Sequence, residues 1–302
     1  RKVPKQIRHL GFNCQFPDNY YFFLSLGCLK NLTPKYLGDS IEFSHEAFVH
    51  PNYDSFWKSS DPRPYLKKVT PAVMTVGGWF DAEDLYGTLN TYKAIEKQNP
   101  PDTKNFLVMG PWSHGQWAFG KGKNLGNIYW GLDANEKFIA LEESFFNYYL
   151  KGEGSSEMAE ATIFVTGSDE WRTFNEWPPK NVVEKNLYFQ AEEGASFEIP
   201  KDNNSFDEYV SDPMKPIPYT QDVHTNRTAE YMTDDQRFAS RRPDVMIYQT
   251  SLLTEDITFT GSLIADLFVS TTGTDADYVV KLIDVLPADT KAGESTDFKV
   301  PL

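Results

Sequence analysis

Two short apolar runs, each stopped by glycine and separated by one helical stretch, constrain this chain more than any other feature. The first is Pro71-Ala72-Val73-Met74-Thr75-Val76, closed by Gly77-Gly78. The second is Phe106-Leu107-Val108-Met109, closed by Gly110. Runs this short and continuous are what strands buried on both faces look like. Between them Leu85, Leu89, Tyr92 and Ile95 recur at helical spacing, and Asn99-Pro100-Pro101 ends the pattern. Strand, helix, strand in about forty residues is a βαβ unit, which requires a parallel sheet. A further helix is predicted from Asp133, with Glu136 three residues on in a capping-box pattern, through Phe138, Leu141, Phe145 and Tyr149 to Gly152.

The flanks read differently. Residues 1–70 are aromatic and broken by prolines, as in Asn19-Tyr20-Tyr21-Phe22-Phe23-Leu24, with short helices expected around 40–58. They read as an irregular helical cap. From about residue 160 the period changes to two. Ile163–Val165, Leu187–Phe189, Val245–Tyr248, Leu263–Val269 and Tyr278–Val285 are predicted strands, with turns at Glu193-Gly194 and Thr272-Gly273-Thr274. Many short strands suggest a sandwich or jelly roll. The last of them lies close to Leu302, so the sandwich is expected to be truncated. The expected organisation is a cap over 1–70, the C-terminal part of an α/β domain over 71–155 and a β domain over 156–302.

Charge narrows the partners. Residues 1–150 carry 16 Lys and Arg against 15 Asp and Glu, whereas residues 151–302 carry 13 against 28. An acidic half argues against nucleic acid, because phosphate neutralisation needs clustered Lys and Arg. No apolar run approaches the ~18 residues of a membrane helix, so no membrane partner is expected. The opening Arg1-Lys2-Val3-Pro4-Lys5 leads into no apolar segment, so no signal peptide is expected there. Two cysteines, Cys14 and Cys28, leave one disulfide or two thiols open.

Chemistry concentrates at the carboxyl ends of the two predicted strands, where α/β sheets build their sites. After the first comes Gly77-Gly78-Trp79-Phe80-Asp81-Ala82-Glu83-Asp84, with three carboxylates in four residues. Acidic residues at a helix start also have a structural explanation in capping and the macrodipole. After the second comes Gly110-Pro111-Trp112-Ser113-His114-Gly115. Consecutive parallel strands are often neighbours, so Asp81 and His114 can meet. A carboxylate that holds an imidazole in one tautomer is two-thirds of a hydrolase triad, and the order Asp before His is that of α/β-hydrolases. His45-Glu46-Ala47-Phe48-Val49-His50 is not a zinc motif, because histidines five apart share no helix face.

With these motifs the chain resembles the α/β-hydrolase family of X-Pro dipeptidyl-peptidases, cocaine esterase and α-amino-acid ester hydrolases, including glutaryl-7-aminocephalosporanic acid acylase-like members. Gly78-Trp79-Phe80-Asp81 resembles the family's acid motif, and Gly110-Pro111-Trp112-Ser113-His114 its histidine motif. Tyr209–Pro213 and Arg237–Val245 resemble its C-terminal jelly roll. The resemblance implies a partial α/β-hydrolase fold with a helical cap, followed by a β-sandwich (jelly-roll) domain. It implies that Asp81 is the triad acid, His114 the general base, and Glu83 and Asp84 part of a carboxylate cluster for a substrate α-ammonium.

The implied activity is that of a serine hydrolase or acyltransferase on esters or amides, with a small-molecule or short-peptide substrate and no metal or organic cofactor. An X-Pro dipeptidyl-peptidase is the alternative within enzymes, and a non-catalytic interaction or carbohydrate-binding module the alternative outside them. By the same analogy a homo-oligomer and a periplasmic or secreted location are expected. The nucleophile elbow G-x-S-x-G is absent. Gly38-Asp39-Ser40-Ile41-Glu42 and Thr260-Gly261-Ser262-Leu263-Ile264 both lack the second glycine. The nucleophile and its oxyanion donor are therefore expected outside these residues, and the chain alone is expected to be inactive. Trp79, Trp112 and Trp117 are expected either to line an acyl pocket or to pack the core.

Overall fold

The computed structural model describes residues 16–38, 41–155, 157–201, 204–224 and 227–286. Cys14, His9, Asp39, Ser40 and the first five residues lie outside these; Cys28 is exposed and free.

The N-terminal part is helical and irregular, as its composition suggests. Helix α1 (Asn19–Leu26) begins where the Asp18 carboxylate accepts the Tyr21 N–H at 2.9 Å, and stops at Gly27 with φ of +70°. Helices α2 (Glu42–Val49) and α3 (Ser55–Ser60) follow. His50, between them, is pinned by Asp54 at 2.6 Å and stacked on Phe56.

The βαβ unit forms as expected. Strand β1 (Val73–Gly78), helix α4 (Leu85–Gln98) and strand β2 (Asn105–Gly110) follow one another, and the strands pair in parallel from Val73↔Asn105 to Gly78↔Gly110. Asn99 ends α4 and ties the preceding segment to it. Its amide donates to Leu66 O and Ile95 O, each at 2.8 Å, and its side-chain oxygen accepts the Val69 N–H at 2.8 Å. Beyond β2 come the short helix α5 (Gln116–Phe119), a hairpin of β3 (Asn124–Leu125) and β4 (Ile128–Tyr129), and α6 (Ala134–Phe146). The Asp133 carboxylate caps α6 by accepting the Asn135 N–H at 3.1 Å.

Strands β5 (Ala161–Val165) and β6 (Glu170–Phe174) complete the sheet in the order β1-β2-β5-β6, with β5 parallel to β2 and β6 antiparallel to β5. The main sheet thus runs past residue 155, and Ile163–Val165 belongs to it rather than to a separate β domain. Every residue of β2 is buried. On one face Leu107 and Met109 pack with Tyr92 of α4, Ala161 and Ile163; on the other Val108 packs with Trp112, Ala134 and Phe138. Burial on both faces explains why β2 reads as a continuous apolar run.

Further on, β7 (Tyr188–Gln190), β8 (Gly194–Ser196) and β9 (Gln249–Thr250) form a second sheet, with Glu192 and Glu193 at positive φ in the β7–β8 turn. Here the expectation is met only in part. The strands expected over 245–248, 263–269 and 278–285 form no ladder among the described residues, and no jelly roll is assembled there. Large apolar side chains such as Ile264, Phe268 and Val279 stand exposed. An apolar pattern specifies a strand only where a partner edge takes up its backbone groups.

Candidate active site

The loops after β1 and β2 are stitched together before any side chain is considered. Trp79 N–H donates to Gly110 O at 2.9 Å and Phe80 N–H to Trp112 O at 3.0 Å. Asp81, three residues past β1, is therefore carried to the loop that bears His114. The carboxylate is buried and both its oxygens are committed. Oδ1 accepts the backbone N–H groups of Glu83 at 2.8 Å and Asp84 at 2.9 Å; Oδ2 lies 2.9 Å from His114 Nδ1.

Burial alone would raise the Asp81 pKa, but the two backbone donors and the imidazole outweigh it and hold the group below the ordinary carboxylate value. An ionised carboxylate can only accept, so Nδ1 carries the proton and Nε2 presents its lone pair. His114 is half exposed at the mouth of an open cleft of about 390 Å³, which Ser113, Phe119, Leu125, Ala229 and Glu230 also line.

The hydrogen bond to Asp81 raises the His114 pKa against a smaller desolvation effect, and the charges of Asp81, Glu83 and Asp84 add to the rise. Catalysis through neutral Nε2 should then show an acid limb in kcat/KM above the ordinary histidine value of ~6.5. Asp81→Asn should move that limb to lower pH while lowering the rate; a limb already at or below the ordinary value in the unaltered protein would contradict the pairing. The linked stability has opposite signs at the two groups. The raised His114 contributes most below its unfolded pKa and loses this as pH rises through the folded value. The depressed Asp81 contributes above its unfolded pKa and loses this as pH falls through the folded value.

The histidine loop is anchored from behind. Trp112 is fully buried and donates from Nε1 to Asn135 Oδ1 at 2.7 Å, while the Asn135 amide donates to Gln116 O and Gly120 O, each at 3.1 Å. Gln116 Oε1 accepts the Ser113 N–H at 3.0 Å and lies 3.3 Å from its hydroxyl. Ser113 is therefore a strut rather than a free hydroxyl. Among the described residues, no serine, threonine or cysteine side chain hydrogen-bonds to His114 Nε2. The three tryptophans take the packing role: Trp117 lies against Trp112, and Trp79 packs on the α4 side of the sheet while donating to Phe164 O at 2.8 Å.

Glu83 and Asp84 follow Asp81 but are placed differently. Glu83 Oε2 lies 4.0 Å from His114 Nε2, and Oε1 is ion-paired with Arg227. Asp84 is the N-cap residue of α4, yet its side chain makes no capping hydrogen bond. Gln116, Arg227 and Glu230 are site residues that the sequence reading does not single out. Gln116 had a weak signal in its position two residues after the histidine; Arg227 and Glu230 had none, being far along the chain. Among the described residues no group of three or more His, Cys, Asp or Glu is placed to hold a metal ion, and no helix is long and apolar enough to cross a membrane.

A sheet whose consecutive parallel strands carry a buried carboxylate paired with a half-exposed imidazole at their carboxyl ends, acid before base along the chain, defines the class as an α/β-hydrolase. Within that class the chain belongs to the X-Pro dipeptidyl-peptidase and cocaine esterase family. Residues 146–297 match the X-Pro dipeptidyl-peptidase C-terminal non-catalytic domain, and residues 27–116 match the X-Pro dipeptidyl-peptidase (S15 family). Cocaine esterase from Rhodococcus sp. (strain MB1 Bresler) is 31% identical over 252 residues, which is 79% of this chain and 42% of the relative. An aminopeptidase from the marine sediment archaeon Thaumarchaeota archaeon has a similar structure, with a TM-score of 0.77 and 31% identity over 82% of this chain and 42% of that one. An α-amino acid ester hydrolase gives a TM-score of 0.73 and 31% identity over 81% and 42%. The chain thus spans less than half the length of these relatives.

Proposed function

We propose that the protein containing this chain is a serine hydrolase or acyltransferase of esters or amides, acting on acyl groups that carry an α-ammonium. The family is one of serine esterases and peptidases, which supports ester or peptide hydrolysis in general terms. The observation that carries the reading is the Asp81–His114 hydrogen bond at 2.9 Å, made through Nδ1 by a histidine that lines the cleft.

In this mechanism a serine contributed from outside these residues attacks the carbonyl carbon. His114 Nε2 takes the hydroxyl proton and then delivers it to the leaving group. Asp81 keeps the imidazole in the productive tautomer and stabilises it while it is charged. Water, or an acceptor amine, then attacks the acyl-enzyme with His114 again as base. The helical residues 16–70 would cover the site as a cap, the sheet-bearing residues 71–174 hold the acid and base, and the residues after them belong to the appended β domain.

Glu83 and Asp84 would recognise the ammonium, because a cation taken from water into a pocket needs opposite charge and acceptors. What supports this is the position of Glu83 beside Nε2 and the absence of a side-chain capping hydrogen bond from Asp84. A free amino terminus on a short peptide would satisfy the same carboxylates, so an X-Pro dipeptidyl-peptidase is the second reading, favoured by the two matched family models.

The test compares kcat/KM of the full-length protein for phenylglycine methyl ester and phenylacetic acid methyl ester, at a pH that keeps the amine protonated. A preference on the order of 100-fold for the amino ester, or ~2.7 kcal/mol of transition-state binding, is expected. Equal rates would leave a general esterase and remove the ammonium role from Glu83 and Asp84.

A further inference from the structure

The segment around Arg227 belongs to the wall of the cleft although it is far from His114 in sequence. Ala229 and Glu230 line the cleft together with His114, and the 3₁₀ turn Ala229–Thr233 lies against the β3–β4 hairpin. Gly126 seats it. This glycine has φ of +56°, and a Cβ there would fall 2.7 Å from Glu230 Cβ. The Tyr231 ring stacks on Tyr219 with centroids 3.7 Å apart, and the Gln236 amide donates to Tyr219 O at 3.1 Å and to Asp234 O at 3.0 Å. From this seat Arg227 reaches Glu83, the carboxylate nearest His114 Nε2.

We propose that Arg227 determines specificity by holding Glu83 with its own guanidinium, as an internal rival to a substrate ammonium. The inference rests on the reading of Glu83 given above and adds a counterweight to it. Glu83 has one carboxylate to share. While Arg227 holds it, an incoming ammonium gains less from it, and the preference for amino esters over neutral ones is compressed. Both side chains are partly exposed, and exposed pairs of this kind are worth only a few-fold in an equilibrium constant. Substrate can therefore displace the guanidinium, and Arg227 tunes the preference rather than abolishing it. Arg227 acts through Glu83, so it is a positioning residue.

The experiment measures the kcat/KM ratio of phenylglycine methyl ester to phenylacetic acid methyl ester in the full-length protein and in Arg227→Gln, Arg227→Lys, Glu83→Gln and the Arg227→Gln/Glu83→Gln double variant. Arg227→Gln is expected to raise the ratio about fivefold, the scale set by an exposed ion pair. Arg227→Lys should stay near the unaltered ratio, and the double variant should equal Glu83→Gln alone. A general distortion of the site would slow both esters and leave their ratio in place. An unchanged or lowered ratio in Arg227→Gln, with the ratio still falling in Glu83→Gln, would overturn the role of Arg227 while leaving the ammonium reading intact. A ratio that Glu83→Gln does not move would overturn both. Should Arg227→Gln not fold, Arg227→Met keeps the apolar stem and carries the same expectation.

Discussion

Replacing His114 by alanine in the full-length protein is expected to lower kcat for ester hydrolysis by about ten-thousandfold or more, with little change in thermal stability. The size follows from what acid–base pairs of this kind do when one member is removed. His114 is the group with a free lone pair at the cleft, and Asp81 is already committed by three hydrogen bonds. Stability should fall only modestly, because the imidazole is half exposed and its loss opens no cavity, while the buried Asp81 carboxylate loses one of its three hydrogen bonds. Steady-state kinetics beside a thermal melt decide the matter. A loss below about tenfold would show that the proton is carried elsewhere, and the proposed mechanism would fall.

Trp112→Ala should have the largest effect on stability, a loss of ~3–5 kcal/mol. The side chain is fully buried among Val108, Ala134 and Phe138, and its removal leaves Asn135 Oδ1 without its donor. The backbone around it is shaped to admit it. A Cβ at Gly110 would fall 2.3 Å from the Trp112 ring, and one at Gly78 would fall 2.0 Å from the Trp112 carbonyl oxygen. Both strand-ending glycines are thus required by this one residue, which also precedes the histidine by two positions. Urea unfolding should show a lower midpoint at an unchanged slope, and activity should fall with it. A loss under ~1 kcal/mol would mean that Asn135 and Gln116 hold the loop without the indole.

How much of this was legible in the sequence depends on how local the determining contacts are. The β1–α4–β2 unit was legible because β2 is buried on both faces and the strands that bear the site are consecutive. The meeting of Asp81 and His114 followed from that adjacency. The membership of β5 and β6 in the same sheet was not legible, since Ile163–Val165 carries the same β pattern whichever sheet it joins. The segments 245–248, 263–269 and 278–285 show the converse case, with apolar character but no ladder among the described residues. Arg227 could not be found at all. Its meaning depends on the seat that Gly126 makes for Glu230, a contact between distant segments.

The pairing of Gly78 with Gly110 has a consequence for how this chain tolerates changes of length. Measured from that rung, the carboxylate is three residues out and the imidazole four. One residue of extended chain covers ~3.3 Å, more than the length of the bond between Asp81 and His114. A single insertion within 79–80 or 111–113 would therefore part them. The stretch 99–104 lies at the opposite end of the two strands, behind the rung, and can lengthen or shorten without altering either count. Indels are thus forbidden and permitted at opposite ends of the same forty residues.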